Sequence, residues 1–217
     1  IGAFHYTCFF GAKGIGTFDF EYRGFILPRL DFIKTNYSIG LTSLWNPFIL
    51  CGTPFMAHPE SQFFYLPRVA SYLMFPPELS DRFFVFLHTL LMAAGVFVYV
   101  KLITKSLSAA SLAAALCAIC GPTTVMIASG NEITLPMLSW WPFLLWATEK
   151  FISTQSKRFL FLITAFFWFS VMAQQIQLFL FMLFFYFFYV FIIVSGLDSK
   201  KKAVIFYVIL LSFLSAI

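Results

Sequence analysis

The side chains able to do chemistry gather in one stretch, Gly16 to Arg68. Asp19 and Glu21 stand two residues apart and are followed at once by Tyr22 and Arg23. Arg29, His58 and Arg68 add cations and an imidazole further along. A carboxylate can accept a proton from a reacting hydroxyl. A guanidinium can hold a phosphate through charge-assisted hydrogen bonds, and an imidazole can donate a hydrogen bond or shuttle a proton. Each has a plainer reading beside it. Asp19 and Glu21 can be solvated loop carboxylates, and the arginines can snorkel to lipid headgroups. His58 precedes Pro59 in a turn-rich stretch, where a structural role is equally open.

Elsewhere the chemistry is sparse. Cys117 and Cys120 form a C-x-x-C inside the apolar run Ala109 to Ala128, with no histidine nearby. A structural zinc site needs four ligands, so this pair reads as small packing residues and no metal site is expected. Cys8 and Cys51 fall on one side in the topology below, which leaves a disulfide between them open. No repeat period, glycine-rich phosphate loop, H-E-x-x-H or G-x-S-x-G is present, and the residues name no cofactor.

The elements that must position these residues follow from composition. The chain is 61% hydrophobic and 11% charged, with 32 phenylalanines and a mean hydropathy of +0.89. Soluble domains carry about a quarter charged residues, so a single water-exposed globule is a poor fit. The net charge of +5 does not indicate nucleic acid, because many of the basic residues sit in short breaks between apolar runs. Both ends look cut: the chain opens at Ile1 and closes inside an apolar stretch, so a piece of a longer protein is expected.

Residues 1–82 are mixed in character, with charges of both signs and most of the prolines. From Phe83 the sequence becomes a series of apolar runs. At about 1.5 Å per residue, a hydrocarbon core of about 30 Å takes roughly 20 helical residues. Phe83 to Val100 and Ser106 to Asn131 each fit one span, the second with a kink expected at Gly121-Pro122. Ile133 to Thr148 is shorter and holds Pro136 and Pro142. Phe159 to Leu197 is twice too long for one span and divides at Gln174-Gln175-Ile176-Gln177. Ala203 to Ile217 starts another. The expected fold class is therefore all-α: a polytopic integral membrane protein of about six spans, with an outer region of interfacial helices and loops.

The breaks give the orientation. Lys101 and Lys105 flank the first; Lys150, Lys157 and Arg158 occupy the third; Lys200, Lys201 and Lys202 occupy the fifth. The alternate breaks, 129–132 and 174–177, carry no lysine or arginine. Positively charged loops stay in the cytoplasm, so residues 1–82 are expected to be extracytoplasmic and residues 83–217 to form the transmembrane part. His88, within a span, reads as a buried hydrogen-bonded residue, with a proton relay as the alternative. The glutamines at 174–177 read as satisfying helix ends.

Several short motifs recur in order: Asp19 with Tyr22 nearby, Trp45-Asn46-Pro47, Gly52-Thr53-Pro54, Phe64-Tyr65-Leu66-Pro67, then Trp140-Trp141-Pro142. In this order they resemble the YfhO-like bacterial membrane proteins, which are similar to the GT-C glycosyltransferases. Ala173 to Gln177 resembles that family's A-G-H-P-Q turn only at Ala173 and Gln177. The resemblance implies a multi-pass protein of the bacterial cytoplasmic membrane. It would move a sugar from a polyprenyl-phosphate donor to a glycan or lipid acceptor outside the cytoplasm. It also implies that Asp19 is the catalytic base, with Glu21 the second candidate. Arg23, Arg29, Arg68 and His58 would hold the leaving phosphate. The alternative is a non-enzymatic transporter or lipid-handling membrane protein on similar helices; membrane lipid is a partner under either.

Overall fold

The computed structural model describes residues 24, 27–40, 44–58, 61–120, 123–125, 134–173, 175–196, 209–210 and 213. Among these the chain is mostly helical, with no strand. We number the helices α1 (Leu27–Ser38), α2 (Leu66–Met74), α3 (Pro77–Thr104), α4 (Leu107–Ile119), α5 (Thr134–Thr154), α6 (Lys157–Met172) and α7 (Ile176–Ser195). α3 packs along both α4 and α5, α5 packs along α6, and α1 and α2 lie against the start of α3.

Helix boundaries follow caps rather than the ends of the apolar runs. α3 starts six residues before Phe83, at Pro77, where the missing N–H is one the first turn leaves unpaired anyway. α5 runs past Thr148 to Thr154, carrying Glu149 and Lys150 inside the helix. The division of the long apolar run is present: α6 ends at Met172 and α7 begins at Ile176. The Gly121-Pro122 kink lies outside the described residues.

Two turns are built alike. After α3, Lys105 adopts a left-handed φ of 55° and donates its N–H to Lys101 O at 3.0 Å, which closes the helix end. Thr104 Oγ1 accepts from Ser106 N at 3.2 Å, and Ser106 Oγ then caps α4 by accepting from Ala109 N at 3.2 Å. Thr154-Gln155-Ser156 repeats the closure: Gln155 has φ 53° and donates to Phe151 O at 2.8 Å. Thr154 Oγ1 accepts from Ser156 N at 3.4 Å. A Thr-x-Ser tripeptide thus reverses the chain at both described lysine-side turns.

Close approach of α3 and α5 depends on Gly95. A Cβ there would lie 3.0 Å from the Phe143 ring and from Pro142, so a larger residue requires those side chains to give by a few tenths of an ångström. Beyond that contact the main core joins α5, α6 and α7 through Met137, Trp141, Leu144, Phe167, Tyr186 and Val190. Phe167 meets Tyr186 edge-on at 5.1 Å, in keeping with the aromatic quadrupole.

Around this core, many polar side chains are buried while large apolar side chains stand exposed. Buried positions hold Gln62, Arg68, Ser71, Ser80, Asp81, His88, Thr89, Ser139, Thr148 and Ser170. The exposed faces of α7 carry Leu180, Phe181, Phe184, Phe185, Phe188, Phe191 and Ile192, with Phe184 69% exposed. α2 shows the same pattern in nine residues: Arg68, Ser71 and Tyr72 face inward while Leu66, Leu73 and Met74 face outward. Soluble monomers rarely expose apolar surface this extensive. Three stretches, Leu79–Thr104, Leu107–Val125 (described to Cys120 and at 123–125) and Ile176–Ser195, are long and apolar enough to cross a membrane.

Candidate functional site

The most developed polar site is where the segment before α2 plugs into the bundle. Phe64-Tyr65-Leu66-Pro67 starts α2, with Pro67 in its first turn. The carbonyl of Tyr65 accepts from Arg68 N at 2.9 Å and from Val69 N at 3.1 Å. That geometry turns the Tyr65 ring into the bundle, where it is fully buried and edge-on to Phe84 at 5.9 Å.

The hydrogens of this site can be assigned from its partners. His88 Nδ1 lies 2.7 Å from Phe84 O, and a carbonyl only accepts, so Nδ1 carries the hydrogen. In the neutral ring His88 Nε2 is then the acceptor for the Tyr65 hydroxyl at 2.6 Å. Trp140 Nε1 donates to the Tyr65 oxygen at 2.7 Å. The chain Trp140 to Tyr65 to His88 to Phe84 O is neutral and matched at every step. Burial pushes the Tyr65 phenol above its ordinary range, which keeps it protonated and donating. The arrangement of His88 is that of a buried, hydrogen-bonded residue.

One helical turn beyond Tyr65 sits the charged part of the site. Arg68 Nη1 pairs with Asp81 Oδ1 at 2.9 Å, both side chains being almost wholly buried (1% and 0% exposed). The guanidinium lies over the Phe84 ring at 4.1 Å and the Tyr72 ring at 5.2 Å, a cation–π contact strengthened by desolvation. Ser80 Oγ donates to Ser71 Oγ at 3.0 Å, and Ser71 Oγ to Arg68 O at 2.7 Å. Lys34 Nζ donates to Phe75 O at 2.6 Å, which ties α1 to the corner between α2 and α3. Gln62 Nε2 donates to Ala173 O at 3.1 Å; the end of α6 is thus satisfied from the segment before α2.

The sequence-derived candidates fall in different places. Asp19, Glu21 and Arg23 lie outside the described residues. Arg29 occupies the first turn of α1 and is half-buried. His58 is exposed, in a turn where its N–H donates to Phe55 O at 3.1 Å and its carbonyl accepts from Ser61 N at 3.0 Å. Arg68, expected to face a lipid phosphate, is inside the protein with Asp81 as its counter-ion. No group of three metal-ligating side chains occurs among the described residues. Cys120 Sγ stands 3.3 Å from Thr123 Oγ1 and donates to Cys117 O at 3.2 Å, local contacts that suit packing residues.

Sequence reasoning missed two features. Asp81 is one of the six acidic residues of 1–82, and only the fold brings Arg68 to it. On the lysine-bearing side, Tyr99 OH donates to Tyr189 OH at 3.0 Å, and Tyr189 OH to Glu149 Oε1 at 2.7 Å. A glutamate one residue past an apolar run, with tyrosines in two other runs, was the available signal. Tyr99 also borders an apolar cavity of about 400 Å³ between α3, α4, α5 and α7, lined by Met92, Cys117, Leu138, Trp141 and Met182 among others.

No known protein family, curated protein or solved structure matches the chain.

Proposed function

We propose that this chain belongs to a polytopic helical enzyme of the bacterial cytoplasmic membrane. In this reading it transfers a sugar from a polyprenyl-phosphate donor to a glycan or lipid acceptor outside the cytoplasm. The membrane part of the reading is supported by the exposed apolar faces and by the three span-length stretches. The enzymatic part is carried by one observation. Two of the motif segments that resemble the YfhO-like proteins, Phe64-Tyr65-Leu66-Pro67 and Trp140-Trp141-Pro142, meet in the Trp140–Tyr65 hydrogen bond at 2.7 Å. Asp19 is the proposed base, with Glu21 second to it. Arg23 and Arg29 remain the cations for the departing phosphate, with His58 as a hydrogen-bond donor beside them. Arg68 serves as a positioning residue that holds the outer segment on the bundle.

A second reading has its own support. A 400 Å³ cavity walled almost entirely by apolar side chains is of the size that takes small ligands, and a hydrocarbon chain is the chemistry it would accept. That favours lipid handling without transfer. The full-length protein in liposomes, given polyprenyl phosphate carrying a radiolabelled sugar, separates the two. Sugar transfer predicts loss of label from the donor lipid and its appearance in acceptor. Intact labelled lipid, bound or moved between leaflets, would favour the second reading instead.

A further inference from the structure

We infer that residues 44–53 form an apolar finger that dips into the outer face of the bilayer beside the bundle. The inference rests on the membrane reading above and names a contact that reading does not require.

The finger is a closed turn. Asn46 and Thr53 exchange backbone hydrogen bonds at 2.8 and 2.9 Å. Asn46 Oδ1 accepts from Phe48 N at 2.9 Å, the side-chain turn that asparagine favours. Gly52 N donates to Ile49 O at 2.8 Å. Gly52 has φ +113°, and a Cβ on it would lie 2.5 Å from the Trp45 ring, so only glycine lets the tryptophan lie against the backbone. Trp45-Asn46-Pro47 and Gly52-Thr53-Pro54 are thus the two sides of one hairpin.

Its tip is apolar and turned outward. Phe48 is 84% exposed and Leu50 86%. No aspartate, glutamate, lysine or arginine occurs from residue 35 to 57. A protein-binding patch ordinarily has a polar rim and side chains that donate or accept; this tip presents hydrocarbon. The hairpin bonds the amides of Asn46, Phe48, Gly52 and Thr53 within the turn; lipid-exposed irregular backbone does not enter the hydrocarbon core, so the finger rests at headgroup depth. A tryptophan at the shoulder suits the headgroup level. The apolar surface has a counterpart nearby in the chain, where Phe64, Leu66, Leu73 and Met74 are likewise exposed.

Cys51, exposed at the tip, makes the test direct. In the full-length protein with Cys8, Cys117 and Cys120 replaced by serine, a spin label goes on Cys51. A second sample carries the label at Leu180→Cys with Cys51 also removed. In liposomes both labels are expected to collide more with oxygen than with a water-soluble nickel chelate. A nickel-accessible label at 51 with a lipid-facing label at 180 would overturn the finger and leave the membrane reading intact. A label at 51 shielded from both reagents would mean that protein covers the tip, and would also overturn it. Nickel access at both positions would remove the membrane reading itself. Should the serine replacements unfold the protein, mass mapping of Cys51 after a charged maleimide serves on the wild type. Cys51 is expected to stay unmodified in liposomes and to react in urea; modification in intact liposomes would contradict the finger.

Discussion

Arg68→Met alone is expected to destabilise the folded chain by about 3–5 kcal/mol, the cost of leaving a buried charge without its partner. The carboxylate left behind is fully buried, and Asp81 Oδ2 has no hydrogen-bond partner among the described residues even with the arginine in place. Asp81→Leu alone should also destabilise, since it removes the counter-ion of a buried guanidinium. Arg68→Met combined with Asp81→Leu should recover most of the loss, because apolar side chains of similar volume can replace a buried ion pair with little penalty. Thermal unfolding of the three variants in a mild detergent would measure this. The double variant also separates two roles. If Arg68 only anchors the outer segment, the double variant keeps its activity; if it binds the donor phosphate, the protein is stable and inactive.

Asp19→Asn is expected to lower sugar transfer by about two to four orders of magnitude, the usual contribution of a positioned general base. In the step proposed, the acceptor hydroxyl loses its proton to the Asp19 carboxylate as its oxygen bonds to the anomeric carbon. The bond from that carbon to the phosphate oxygen breaks, and polyprenyl phosphate leaves with the electron pair. An amide of the same shape cannot take the proton. Expression and membrane insertion should be unchanged. Glu21→Gln should have a much smaller effect, and a larger one than Asp19→Asn would exchange their roles. Transfer at the wild-type rate in Asp19→Asn would rule out Asp19 as the base.

The helices from Phe83 onward were legible in the sequence because hydropathy alone reports them, whereas α1 and α2 in the mixed region were not delimited. Phe83 to Val100 and the division near Gln174 mark real helices, although their ends moved. The ends moved because caps and partners set them. Pro77 starts α3 before the apolar run begins, and Glu149 stays helical with Tyr189 donating to it. The Thr-x-Ser turns were present in the sequence as Thr104-Lys105-Ser106 and Thr154-Gln155-Ser156, but their left-handed middle residues are neither glycine nor asparagine, the usual signals.

The junction was legible only in parts. Tyr65, Trp140 and His88 each stood out, for motif or for an ionisable group in an apolar run. Nothing in local spacing says that they share hydrogen bonds across 23 and 75 residues. Arg68 was misleading for a physical reason: an arginine outside an apolar run reads as surface, yet in a bundle whose outer face is apolar the polar side chain turns inward.

Membrane crossing with a fixed orientation underlies all of these readings, and sided cysteine labelling tests it most directly. Single cysteines at Gln155, in the turn between α5 and α6, and at Gln175, between α6 and α7, would be placed in a protein without other cysteines. In sealed vesicles of known orientation, an impermeant maleimide is expected to reach position 155 only from the cytoplasmic face and position 175 only from the opposite face. Labelling of both from the same face would contradict the account.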